Sequence, residues 1–427
     1  MIRRLSAPPF EALDALFSRR TASDPATRQT VASILDGVHE RGDAAVREYT
    51  LTFDGVDLEP GTWSLDSGLW QAALQRIDPV LSAALKRAVD RVRAFHEHQR
   101  EPGFHLTESD GSLIGTRVTP LDRVGLYVPG GKASYPSSVI MNAVPALVAG
   151  VQEIIAVVPP AGVTDAVLAA CALSGITRIF RVGGAQAVAA LAYGTATIPR
   201  VDKIVGPGNR WVAEAKRQVV GEVGIDMIAG PTEVLIIADG TARPARVAAD
   251  LIAQAEHDQD AVCWCVTTDA GLADALPAAL EEALGRAPRA DIARESLARN
   301  GVIVLVPQMR DAIEVANRRA PEHLEVVAEG AERIAQSVRH AGAIFLGDDT
   351  PEPVGDYIAG PSHVLPTGGT ARFASPLGVY DFVKRTSVIR YTRARLAADA
   401  DAIIALAEAE GLFGHAEAVR TRITPPA

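Results

Sequence analysis

Cysteine is scarce: Cys171, Cys263 and Cys265 are the only three in 427 residues. Three thiols cannot build a disulfide framework, and a reducing, cytoplasmic setting is the default expectation. Cys263 and Cys265 flank Trp264 in an apolar stretch, where alternate residues of a strand share a face. They read as buried structural thiols. A membrane span is also missing. The longest apolar run, VIMNAVPALVAGVQEIIAVV, is broken by Asn142, Pro145, Gln152 and Glu153. The opening segment MIRRLSAPPFEALDALFSRR has no apolar signal core. Excess positive charge is absent: 42 Lys and Arg face 52 Asp and Glu, for a net charge of -10. That balance argues against a nucleic-acid surface. No G-x-G-x-x-G occurs, so an orthodox dinucleotide fingerprint is lacking. No low-complexity linker divides the chain.

What is present is a large supply of apolar residues, 48% of the chain, enough for two or more core-bearing units. Residues 22–118 read as mostly helical. VLSAALKRAVDRVRAFHEHQR has apolar positions at helical spacing, and its His96 and His98, two apart, are expected at the surface. From Val124 the pattern changes. VGLYV runs into Pro129-Gly130-Gly131, ITRIFRV into Gly183-Gly184, and VDKIV into Gly206-Pro207-Gly208-Asn209. IIAVVPP adds a further strand before the helix DAVLAACALSG. A second alternating block starts at EVLIIAD (233–239) and continues through PARVAADLIAQAEH, AVCWCVTT, GVIVLVP (301–307), DAIEVANRRA and AGAIFLG (341–347). Such alternation predicts an α/β protein with parallel sheets, which bind ligands beyond the carboxyl ends of their strands. The two blocks look related without a clear sequence repeat. The tail from about 397 is expected to be helical, with Gly411 as a stop. The glycine turns fit either a nucleotide-accepting crevice or plain tight turns.

Several polar residues interrupt apolar patterns. Val247, Leu251 and Gln254 share a helix face, with His257 at its edge. A buried amide needs a partner, either a metal or a core hydrogen bond. Ile403, Leu406 and Ala407 share a face that Glu410 continues, so this carboxylate needs a cation, an interface or a cleft. His415 lies beyond Gly411 on the same face as Val419. Pro321-Glu322-His323 places an acid beside an imidazole, either as an acid–base pair or as a helix start next to a surface histidine. Asp356 and His363 sit in GDYIAGPSHVLPTGG, expected to be a loop. Imidazole, carboxylate and amide ligands drawn from distant segments suit a zinc-type site.

Taken in order, GLYVPGG, YPSSVIMNAVPA, RVGGAQAVAALAYGT, VDKIVGPGN, AGPTEVLIIAD, QAEHD, NRRAPEHLE, GDYIAGPSHVLPTGG, GVYDFVKRTSV and AEAEGL with the following His-Ala resemble the histidinol dehydrogenase family over about residues 120–416. The resemblance implies an NAD-dependent, zinc-containing enzyme that oxidises L-histidinol to L-histidine through an aldehyde, passing two hydrides to two NAD molecules. It implies one zinc per subunit, held by Gln254, His257 and Asp356 together with the partner subunit's His415. Glu322 would activate water at the aldehyde stage, and His323 would take the alcohol proton. Thr232, Gln254, His257, His323, Asp356, His363, Glu410 and His415 match substrate-binding positions. Tyr127, Gln186 and Asn209 match nucleotide-contact positions.

The implied fold is a pair of incomplete Rossmann-like parallel-sheet domains with helical terminal segments, in an intertwined homodimer with shared active sites. Residues 21–126 and 233–377 would form one discontinuous domain carrying the metal and catalytic residues. Residues 127–232 would be an inserted nucleotide-binding domain. Residues 1–20 would be an N-terminal helical segment and 378–427 a C-terminal dimerisation segment. Neither nucleic acid nor membrane is an expected partner. Two positions depart from the family pattern: Thr232 replaces the usual serine of GPSEV, and Ser362 replaces the asparagine of GPNHVLPT. They leave open a related dehydrogenase acting on another alcohol, such as a sulfonated diol. A zinc hydrolase would use the same residues without a nucleotide.

Overall fold

The computed structural model describes residues 2–17, 24–130 and 135–424. The strands follow in chain order. β1 (Arg3–Ser6) comes first, and β2 (Phe104–Thr107) and β3 (Leu113–Pro120) come after the first group of helices. β4 (Arg123–Tyr127), β5 (Glu153–Val157), β6 (Arg178–Phe180), β7 (Lys203–Val205) and β8 (Gly224–Ile225) form one set. β9 (Glu233–Ala238), β10 (Val262–Thr267), β11 (Val302–Leu305), β12 (His323–Val327) and β13 (Ala343–Leu346) form another, and β14 (Val383–Arg390) follows.

Two compact units contain them. The first spans Met1–Gln99 and Asp122–Phe382, the second Arg100–Leu121 and Val383–Ala427. Both parallel sheets belong to the first. One has the order β6-β5-β4-β7-β8, and the other β1-β11-β10-β9-β12-β13. Setting β1 aside, both sheets place their strands in the same 3-2-1-4-5 order, the doubly wound arrangement. The likeness of the two blocks is therefore topological. Parallel strands covered by helices on both faces must be apolar throughout. β9 meets this demand at the centre of its sheet from Val234 to Ala238, and all six of its positions, the opening Glu233 included, are buried. On β10, Cys263 and Cys265 are buried within the same core cluster, with Trp264 in another. Burial pushes the Cys265 thiol up to about 12, so these thiols are inert packing groups.

Helix starts follow local chemistry. Asp24 caps Pro25–Arg41 and Asp78 caps Pro79–Glu97, each followed by proline at the first helical position. The expectation of helix across 22–118 fails after Glu97. β2 and β3 pair antiparallel with each other, and β3 pairs along its whole length with β14. Local periodicity carries no trace of a partner so far along the chain. This three-stranded sheet belongs to the second unit, with the helices Arg393–Ala409 and Phe413–Ile423. Gly411 separates those helices at φ +72°, a left-handed turn that suits glycine. His96 is also corrected. It is fully buried, its Nδ1 lies 2.8 Å from the Val92 carbonyl, and burial lowers its pKa. His98 is exposed, as expected.

Candidate active site

Glu322 and His323 do not begin a helix. Ala320 adopts φ +50°, a left-handed conformation rare outside glycine, and turns the chain into β12. β12 pairs with β9, placing His323 opposite Val234. Glu322 and His323 therefore sit at the amino ends of these strands. The rule that parallel sheets work at their carboxyl ends does not hold for this cluster.

Both side chains are buried, at 6% and 3% exposure. Glu322 Oε2 accepts from the Thr232 hydroxyl at 2.6 Å and from the Glu233 N–H at 2.8 Å. His323 Nδ1 lies 3.1 Å from the Glu233 carbonyl. A carbonyl only accepts, so the proton rests on Nδ1 and Nε2 carries the free lone pair. Nε2 has no hydrogen-bond partner and lies 3.8 Å from both Glu352 Oε1 and Asp356 Oδ1. Burial drives the two groups apart. It raises Glu322 well above the carboxylate range, against the Thr232 hydrogen bond. It lowers His323 to about 4, against the pull of Asp356. Two groups separated in this way can divide proton work.

Gln254 is fully buried in the last turn of Pro244–Ala255. His257 lies just past that helix, not on it, and its Nδ1 is 3.0 Å from the Ala253 carbonyl. That bond leaves Nε2 as the nitrogen available to a ligand. Asp356 lies on the short helix Glu352–Tyr357 and not on an irregular loop. His363 is partly buried. Its pKa is lowered by desolvation, with Asp356, His323 and His257 near enough to act on it. Ser362 is buried, and its hydroxyl donates to the Met141 carbonyl at 3.1 Å. A cavity of about 420 Å³ opens beside His257, bounded by Leu85, Tyr135, Met141, Arg289 and Tyr357. Glu410 and His415 are carried by the second unit and are exposed there, as are Leu406 (69%), Leu412 (41%) and Phe413 (70%). Of the apolar stripe expected around Glu410, Ala407 is buried and Ile403 half-buried, whereas Leu406 is left exposed.

One central residue escaped the sequence reading. Glu352 is 1% exposed, lies beside Gln254 and is raised far above the carboxylate range by burial and by the nearby Asp356 and Glu325. His323, Glu352 and Asp356 bring one ligand atom each within 4.8 Å of one another. The spacing of four between Glu352 and Asp356 puts both on one helix face, and this was the available signal. Gln254 faces Thr232 on one side and the Glu352 carboxylate on the other. Gln254 satisfies both sides when its amide nitrogen donates to the Glu352 carboxylate and its Oε1 accepts from the Glu233 N–H at 3.0 Å. The oxygens of Glu352 and Asp356 and the unpartnered His323 Nε2 then face one another, a set that a cation would match. This donor set fits a divalent metal.

In the other parallel sheet, Tyr127 ends β4, and its hydroxyl accepts from the Gly184 N–H at 3.0 Å. Burial raises that hydroxyl to about 12. Gln186 is 1% exposed, with both side-chain polar atoms unpartnered. Asn209 caps the helix Arg210–Gln218 through Trp211 and Val212. A Cβ on Gly130 would lie 3.1 Å from Gly162. These positions gather at the carboxyl edge between β4 and β7, where the strand order reverses. The orphaned Gln186 amide and the close glycine backbone fit a nucleotide there. Gly131 lies outside the described residues.

Comparison with known proteins identifies the family. The model for histidinol dehydrogenase matches residues 17–423. The chain belongs to the histidinol dehydrogenase family. It is 52% identical over 428 residues to the histidinol dehydrogenase of Pseudomonas putida, covering 99% of this chain and 97% of that protein. It is 52% identical over 431 residues to that of Cupriavidus pinatubonensis, again covering 99% and 97%. The crystal structure of histidinol dehydrogenase from Elizabethkingia anophelis matches with a TM-score of 0.93 at 33% identity, covering 99% of this chain and 98% of that one. As a histidinol dehydrogenase family member, the chain is an oxidoreductase of histidine biosynthesis. Among the described residues no helix is long and apolar enough to cross a membrane.

The buried carboxylate beside Gln254 yields a prediction. Glu352→Gln removes an acid that burial raises well above its ordinary range. It is expected to raise the melting temperature of metal-stripped protein by about 1–2 °C, since folding at neutral pH must otherwise protonate this acid at a cost of roughly 1 kcal/mol or more. Scanning fluorimetry in chelator at neutral pH measures this, and a lowered midpoint would refute the cost of burying the acid.

Proposed function

We propose that this chain is an NAD-dependent, zinc-requiring dehydrogenase that oxidises L-histidinol to L-histidine through the aldehyde. The observation that carries the reading is the buried Glu322 and His323 pair, held by the main chain of one residue, Glu233, and pushed in opposite directions by burial. The names of the relatives supply the substrate. Gln254, His257 and Asp356 would hold the zinc, with the partner subunit's His415 completing the set. Bound zinc supplies a fixed Lewis-acid anchor for the substrate's imidazole and amine. NAD supplies the hydride acceptor.

The chain's own residues then handle protons and pose. Burial keeps the His323 imidazole neutral at physiological pH, and its free Nε2 accepts the alcohol proton. Glu322 takes a proton from water at the aldehyde stage in its ionised form, which the Thr232 and Glu233 donors favour against burial. Thr232 keeps the donor that a serine would offer and adds a methyl group beside it. His363 and Glu410 serve the substrate's polar groups. Gln186, Tyr127 and Asn209 serve the nucleotide, in the inserted 127–232 region. The exposed Leu406, Leu412 and Phe413 around Glu410 and His415 support a homodimer in which this face is covered.

The defining experiment is NADH formed per L-histidinol consumed, with and without a chelator. Two NADH per substrate, lost in chelator and restored by zinc, is the expected outcome, and a ratio of one would overturn the four-electron reading. For the base role, Glu322→Gln is expected to slow oxidation of added histidinal by about 10² or more, while the alcohol step falls less. Equal losses in single-turnover kinetics would remove the water-activating role. For the shared site, His257→Asn and His415→Asn are each expected to be inactive. Co-expressed and mixed, they should recover roughly a quarter of wild-type activity, because half of random dimers then hold one intact site. No recovery would place both ligands in one subunit.

A further inference from the structure

Beside the catalytic pair lies a buried ion pair that the proposed steps do not use. Glu233 opens β9, and its side chain is 2% exposed. Arg319 ends the helix Met309–Arg319 with its side chain 10% exposed. The Arg319 guanidinium donates to Glu233 Oε2, and Glu233 Oε1 accepts from the Gly368 N–H at 3.0 Å. The main chain of the same Glu233 holds both catalytic side chains, through its N–H to Glu322 Oε2 and its carbonyl to His323 Nδ1. Arg319 also stands immediately before the left-handed Ala320 and then Pro321, Glu322 and His323. The ion pair thus pins the two ends of one frame: the residue whose main chain orients the pair, and the turn that delivers it.

Stability alone is a weak reason for such a pair. Two buried charges lose most of their attraction to desolvation, and apolar replacements are often neutral. Geometry is the stronger reason, because a misplacement of even 1 Å at a reacting centre costs far more in rate than in stability. We propose that Glu233 and Arg319 are positioning residues: their ion pair fixes the main chain on both sides of the Glu233 Cα, which aims the Glu322 carboxylate and holds His323 with Nδ1–H inward and Nε2 toward the substrate. The kinetic part rests on the dehydrogenase reading above, whereas the effect on His323 does not.

The test uses full-length, metal-loaded enzyme with ¹⁵N-labelled histidine. The double variant Glu233→Gln, Arg319→Met removes both charges together, so neither is left buried alone. It is expected to fold with wild-type metal content, to lose about tenfold or more in kcat with both KM values within about twofold, and to shift the His323 ring nitrogen signals. Arg319→Lys, which keeps the charge, should restore kcat to within about threefold of wild type and return the His323 signals toward their original positions. A double variant with wild-type kcat and unmoved His323 signals would overturn the proposal. If wild-type enzyme leaves histidinol unoxidised, the reaction reading fails, and the His323 signals alone still decide the positioning role.

Discussion

The site depends on burying carboxylates where few donors can reach them. Glu322, Glu325 and Glu352 are all nearly inaccessible, and desolvation dominates the titration of each. Charged groups in such surroundings must be hydrogen-bonded, protonated or matched by a cation. Glu322 is met by a hydroxyl and a peptide N–H. Glu325 is met by the Glu352 N–H at 2.8 Å and by Asp250. Glu352 finds Gln254 and the open side of His323. Each contact brings one more side chain to a fixed place, so the cost of burial is also what organises the cluster.

The two parallel sheets share a strand order but use opposite edges. Tyr127, Gln186 and Asn209 gather where β4–β7 order reverses, at the carboxyl ends. Glu322, His323 and Thr232 gather at the amino ends of β9 and β12. The difference follows from what delivers the residues. In the first sheet, glycine turns leave the strands and approach closely. In the second, a left-handed alanine and a proline enter β12, and the last turn of the helix Pro244–Ala255 delivers Gln254. Amino-edge positions gain buried peptide groups as hydrogen-bond partners, which Glu322 and His323 use directly.

The α/β class, the strand–helix alternation and the buried cysteines were legible in the sequence, because parallel strands covered on both faces must be apolar and helices must be amphipathic. The strands β2 and β3 were not, since β3 draws its stability from β14, far along the chain. His96 was misread because its neighbours at helical spacing show polarity but not which helix or loop packs over them. Among site residues, Gln254 and the Glu322–His323 dipeptide stood out as polar interruptions. Glu352 did not, because an acid in a proline-rich run is unremarkable until Gln254 is packed against it.

The sequence by itself determined the chemical inventory: which imidazoles, carboxylates and amides exist, on elements whose type their neighbours dictate, in an order that marks the histidinol dehydrogenase family. Tertiary structure decided which edge of each sheet the site occupies, which nitrogen of His323 is free and which acids lose their water. Those outcomes depend on contacts between residues such as Glu233 and His323, 90 positions apart, and on burial, which belongs to the packed molecule and to no local stretch of chain.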